Sequence, residues 1–131
     1  MRKIVCAAIV GGALVCSNTS AAASDATSMV TSEARRQGVP VDFALRIARI
    51  ESGVRCNNNS RSSSASGPLQ ITAPTARSLG FSGNIRKASC GTQVRYGMMH
   101  LAACYRGARG NRSVAHRCHQ VGLSVVQRGR R

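Results

Sequence analysis

Four cysteines spread over one small domain leave few ways to fold, because any pairing must satisfy two cross-links at once. Six cysteines occur in the 131 residues, but Cys6 and Cys16 lie in a segment, residues 1–23, that reads as a removable leader. Arg2 and Lys3 supply a positive start, residues 4–15 a short apolar run, and Ala21-Ala22-Ala23 an A-x-A cleavage site. The apolar run is too short to span a bilayer. Residues 13–15, just before Cys16, make a poor lipoprotein signal. The expected product is therefore periplasmic or secreted after cleavage near Ala23, a single domain over residues 24–131 with no stable membrane anchor.

Cys56, Cys90, Cys104 and Cys118 remain, an even count that suits two disulfides in an exported small domain. If residues 91–105 form one helix, Cys90 and Cys104 stand ~21 Å apart at 1.5 Å per residue. A disulfide needs Cα atoms within about 7 Å, which removes that pairing. Two schemes are left. Cys56–Cys90 with Cys104–Cys118 is preferred, because the second bond would staple a helical hairpin. A zinc set of Cys104, His116, Cys118 and His119 lacks a standard ligand spacing, so no metal and no cofactor is expected.

The pattern along the chain is helical. Residues 24–37 read as a first helix stopped by Gly38. Pro40 precedes a second, and Gly53 ends it as a left-handed cap. Residues 54–67 abandon periodicity for Asn and Ser runs, with room for a small β-hairpin in 54–66. A short helix over 74–79 stops at Gly80, and a longer one over 91–105 breaks at Gly107 and Gly110. Asn111 caps a last helix towards Gly122, followed by a short basic tail, 123–131, expected to fray. The expected class is mainly α.

Charge narrows the partners. The chain has 19 Lys+Arg against 4 Asp+Glu, net +15, and Lys87 is its only lysine beyond the leader. Such a surface seeks anions. Nucleic acid is disfavoured by export and by the scarcity of aromatic side chains for base stacking. A bacterial wall, rich in peptide carboxylates and anionic polymers, fits better, and guanidinium groups grip carboxylates with two parallel hydrogen bonds.

Glu51 is the last acidic residue in the chain. On a helix it shares a face with Ala44, Ile47 and Ala48, while Arg46 and Arg49 point outward. A carboxyl group on an apolar face is held protonated by desolvation, the condition for a general acid. The other acids, Asp25, Glu33 and Asp42, all lie upstream, and Asp42 is on a different face of the same helix. The two-carboxylate arrangement of ordinary glycosidases is therefore missing. A single-acid or substrate-assisted route is left, beside the plain reading of a Glu that packs its stem and bonds a neighbour.

These residues also carry a resemblance. Glu51-Ser52-Gly53, Ser60, Ala65-Ser66-Gly67-Pro68-Leu69-Gln70-Ile71-Thr72 and Thr75-Ala76-Arg77-Ser78-Leu79-Gly80 are similar to the soluble lytic transglycosylase domain of the lysozyme-like superfamily. That family has an E-S-G helix end, a Ser-containing loop, G-L-M-Q-I, a TA-x-x-LG helix and Y-N-A-G. Order and spacing hold from about residue 34 to residue 122, and the short members that accompany secretion systems look nearest.

The resemblance implies a compact lysozyme-like fold and cleavage of the β-1,4 bond between N-acetylmuramic acid and N-acetylglucosamine. Glu51 would protonate the leaving oxygen, then deprotonate the muramic 6-hydroxyl as it closes a 1,6-anhydro ring. Ser60, Gln70 and Ile71 match substrate-binding positions. His119-Gln120-Val121-Gly122 stand where the family has Y-N-A-G, so His119 and Gln120 would replace Tyr and Asn without being isosteric. Pro68 and Leu69 replace Leu and Met, and nine residues after Gly122 imply a reduced terminal helical segment. His100 and His116 read as surface or packing residues. The implied partners are peptidoglycan glycan strands and a secretion or conjugation apparatus, with the enzyme a monomer. Two other readings stand beside it: a muramidase that uses water, and a non-catalytic cationic wall-binding or secretion-assembly protein.

Overall fold

In a computed structural model the chain is described over residues 19–128, with side chains from residue 25 onward. The expected leader falls outside that range apart from the backbone of its last residues, and so does the end of the basic tail. Six α-helices follow in order: α1 Thr19–Gln37, α2 Val41–Ser52, α3 Ala73–Ser78, α4 Cys90–Gly107, α5 Arg112–Val121 and α6 Ser124–Gln127. The mainly helical expectation holds.

Local chemistry sets the boundaries. Gly53, at φ 67°, donates its N–H back into α2 and ends it in the left-handed conformation that costs glycine least. Ser89 caps α4 by accepting from the Thr92 N–H, and Asn111 caps α5 by accepting from Val114. Helix α4 extends two residues past the expected stop, because Gly107 is its last residue rather than its breaker.

Helix α4 is the centre of the packing. It lies against α1 on one side and α5 on the other, while α2 packs on α1. Ala26, Val30 and Ala34 of α1, Phe43, Ala44 and Ile47 of α2, and Val94, Met98 and Leu101 of α4 form one core with Leu69. Burial of these faces supplies the main driving force, ~25 cal/mol per Å² of apolar surface. A smaller cluster of Ile71, Ala76 and Ile85 seats α3 and the 3-10 turn Ile85–Lys87 against Tyr96 and Phe81. Nothing in the periodicity announces that turn.

Two expectations need correction. Residues 54–66 form turns and not a hairpin; among the described residues the only bridge pairing joins Ser66 to Ile71. This stretch is mostly Asn and Ser, so no apolar alternation exists to hold a strand on the core. The tail is also not frayed from its start. Residues 124–127 make the short helix α6, whose Val126 packs so close to α4 that a Cβ on Gly107 would meet its Cγ2 at 2.6 Å.

The disulfides are Cys56–Cys90 and Cys104–Cys118, the preferred scheme. The pairing belongs to an oxidising setting and occupies the two sulfurs that a zinc site would have needed. No helix among the described residues is long and apolar enough to cross a membrane.

Candidate active site

Glu51 lies in the last turn of α2, one turn beyond Ile47. Phe43, Ala44, Ile47 and Ala48 are buried on its face, while Arg46 and Arg49 are exposed, as the helical pattern predicts. Its side chain is 19% exposed. Burial raises the carboxyl above the ordinary carboxylate range, and the charge of His116 pulls part of that shift back. His116 Nε2 stands 3.9 Å from the Glu51 Oε1. That imidazole nitrogen is itself buried and has no hydrogen-bond partner.

No second carboxylate joins the pair. Asp42, at the far end of α2, is held by Arg112 through two bonds of 2.6 and 3.1 Å, and Arg112 keeps it below its usual range. Glu33 accepts from Gln37 at 3.1 Å and faces Arg36 at 3.6 Å. Asp25 is exposed in α1. The four acids of the chain therefore put one carboxyl, Glu51, beside the histidines of α5.

The loop opposite is tied to the Glu51 helix by Ser52. Its hydroxyl is buried and donates to the Pro68 carbonyl at 2.8 Å, while accepting the Arg55 N–H at 3.0 Å. Gly67 sits at φ 77°, and a Cβ there would meet Gln93 Oε1 at 2.6 Å, so this turn closes only on glycine. Gln70 follows at φ 50°, a left-handed position uncommon for a side-chain-bearing residue. Its Nε2 donates to the carbonyls of Asn58 at 2.6 Å and Gly67 at 3.0 Å. The amide thus braces the turn that carries it.

Helix α5 brings His119 to the same turn. His119 Nε2 lies 2.9 Å from the Leu69 carbonyl; a carbonyl accepts, so this nitrogen carries the proton. Its Nδ1 is then a bare acceptor, buried and unpartnered. Burial first, then the charge of His100, pushes the His119 pKa down to about 4, with the Leu69 bond opposing. His100, on α4, stacks on His119 with ring centroids 5.2 Å apart. Burial lowers its pKa too, with partial opposition from the His119 backbone. Both rings are neutral at pH 7.

Gln70, Ile71, His119 and Gln120 line one cavity of about 210 Å³, together with Thr72 and His100. Four expected site residues therefore meet. Glu51 is reached across α5 through His116, which sits one turn from both His119 and Gln120. Ser60 stands apart: its hydroxyl contacts Ser62 Oγ at 3.4 Å, and its carbonyl accepts from Arg86 at 3.0 Å. Arg86 also bonds the Ser63 carbonyl at 2.7 Å and so fastens the loop.

His116 is the residue that reading the sequence missed. Expected at the surface or in packing, it faces Glu51 instead. The signal was its spacing of three from His119, which puts both rings on one side of α5. No family model, curated protein or solved structure matches this chain.

Proposed function

We propose that this protein is an exported peptidoglycan lytic transglycosylase acting on the bond between N-acetylmuramic acid and N-acetylglucosamine. The observation that carries this reading is a single half-buried carboxyl with a raised pKa, at a helix end, with no second carboxylate beside it. The likeness of residues 51–80 to the transglycosylase motifs supports it. Glu51 donates its proton to the glycosidic oxygen as the bond to the anomeric carbon breaks. The resulting carboxylate takes the proton of the muramic 6-hydroxyl as that oxygen bonds to the same carbon. Glu51 returns to its acid form, and no water is consumed. One carboxyl suffices because the nucleophile is already part of the substrate.

The remaining residues fit supporting roles. His116 disfavours a neutral Glu51 and so bounds how far burial raises the acid; with both groups it balances the proton-giving and proton-taking halves of the cycle. Gln70 shapes the turn, and the neutral His119 and His100 line the cavity that Gln70 and Gln120 share. The Arg-rich surface concentrates the enzyme on the anionic wall, and the disulfides suit a periplasmic or secreted site of action.

A second reading has its own support. Gln70 and His119 both spend a donor on backbone carbonyls, which suits a wall-binding or secretion-assembly protein that keeps the fold without the chemistry. Mass spectrometry of sugars released from peptidoglycan by residues 24–131 separates the readings. Anhydro-ended sugars, lost in Glu51→Gln, are expected. Reducing ends would make it a water-using muramidase, and no release by a folded, wall-binding protein would favour the binding role.

A further inference from the structure

Beside His116, and sharing Gln120 and Val121 with the His100–His119 cavity, a second and larger cleft of about 440 Å³ runs between α2 and α5. Its floor is apolar, made by Phe43 and Ile47, which are 2% and 1% exposed. Its rim is cationic: Arg46 comes from α2 and Arg117 from α5. Neither guanidinium has an acidic partner among the described residues, since Asp42 is engaged by Arg112 and Glu33 by Gln37 and Arg36. Gln120 and Ser113 add side-chain hydrogen-bonding groups along the same wall.

The Asp42–Arg112 pair at this cleft shows what its chemistry accepts. Arg112, which lines the cleft, holds the Asp42 carboxylate in a two-bond clasp of 2.6 and 3.1 Å, with its guanidinium 5.7 Å from the Phe43 ring centroid. Arg46 and Arg117 offer the same planar fork without an internal acid to fill it. Guanidinium forks above an apolar floor match a short peptide that alternates methyl-bearing and carboxylate-bearing residues. A phosphate polymer would find the forks but would gain nothing from Phe43 and Ile47. His116 lines this cleft and also faces Glu51 at 3.9 Å, so one ring connects the cleft to the acid.

We infer that the α2–α5 cleft binds a short acidic peptide, with Arg46 and Arg117 holding its free carboxylates. Identifying that peptide with the side arm of the wall glycan rests on the proposed function, whereas the carboxylate binding itself does not. Recognition of the arm would let the enzyme distinguish peptide-bearing glycan from glycan already stripped of its peptides.

The test is an NMR titration of the folded domain with a sugar-free tetrapeptide bearing free carboxylates. The same peptide fully amidated and inorganic phosphate are titrated at equal ionic strength. Saturable shifts are expected at Ile47, Ser113, His116 and Gln120. Affinity should fall at least about tenfold in Arg46→Gln/Arg117→Gln and on amidation, in line with the loss of charge-assisted bonds. Arg77→Gln, an exposed arginine on α3, should change little. Equal losses in Arg77→Gln, equal binding of the amidated peptide, or phosphate shifting the cleft as strongly as the peptide would each overturn the inference. Release of anhydro-sugars without peptide binding would sink the groove and keep the lyase; peptide binding through these arginines without sugar release would do the reverse.

Discussion

Gly97 and Gly91 lie on the same helix, and the same substitution should affect them with opposite sign. A Cβ at Gly97 would meet Leu69 Cβ at 2.7 Å and Leu69 Cδ1 at 3.2 Å, against the 3.5–4.0 Å of ordinary carbon contacts. Leu69 is fully buried, and its Cβ is fixed to the backbone, so a rotamer change cannot relieve the clash. The turn itself must move. Overpacking of this kind costs roughly 1–3 kcal/mol, while replacing glycine by alanine inside a helix returns about 1 kcal/mol. Gly97→Ala should therefore lose about 1 kcal/mol net. Gly91 has nothing within 4 Å of its would-be Cβ, so Gly91→Ala keeps the propensity gain of about 0.5–1 kcal/mol. The two variants should differ by about 2 kcal/mol, near 8 °C in melting temperature for a domain of this size. Urea and thermal unfolding followed by circular dichroism measure the gap. Because the Leu69 carbonyl anchors His119 and the next residue is Gln70, wall cleavage should fall in Gly97→Ala alone. Equal stability of the two variants would refute the close approach of α4 to this turn.

Other consequences can be checked in the same way. Glu51→Gln should unfold no more easily than the parent at neutral pH. A raised folded pKa means the folded state binds more protons, so the Glu51 contribution falls as pH rises above the ordinary carboxylate value, and the variant escapes that loss; a variant clearly less stable at pH 7 contradicts this. His119 works in the other direction. Its folded pKa of about 4 lies below the usual 6.5, so stability should drop by up to about 3 kcal/mol as pH falls from 6.5 to 4. His119→Gln should flatten that slope in denaturant midpoints taken across the range. Replacing both cysteines of Cys104–Cys118, 14 residues apart, should cost about 3 kcal/mol, and of Cys56–Cys90, 34 apart, about 4 kcal/mol. Paired urea titrations decide the order.

What could be read ahead of the fold was mostly local. Helix α2 announces itself through Pro40, the apolar spacing of Ala44, Ile47 and Ala48, and the Gly53 cap, and those same spacings put Glu51 on the buried face. The length of one helix excluded Cys90–Cys104, and the hairpin that Cys104–Cys118 would staple decided between the two schemes left. Long-range placement was harder. His116 meets Glu51 only because α5 returns against the rest of the bundle sixty-odd residues later, and no periodicity encodes that crossing. In the 54–66 segment the Asn and Ser runs announce turns, but what holds them is again distant: Arg86 binds the Ser60 and Ser63 carbonyls from beyond α3. Gln70 lines the cavity, but the demand of its own φ 50° turn on the amide has no signature in composition.

Both covalent links end on α4, one on its first residue and the other one turn from its end. Glu51 lies five residues before Cys56, and His116 two residues before Cys118. The acid and the ring that faces it are thus each tethered close by to opposite ends of one rigid rod. Their separation is calibrated by that rod and not by the chain between them. Before its thiols are oxidised, the protein has no such gauge. A copy whose four thiols are still reduced would carry every residue of the site without the spacing.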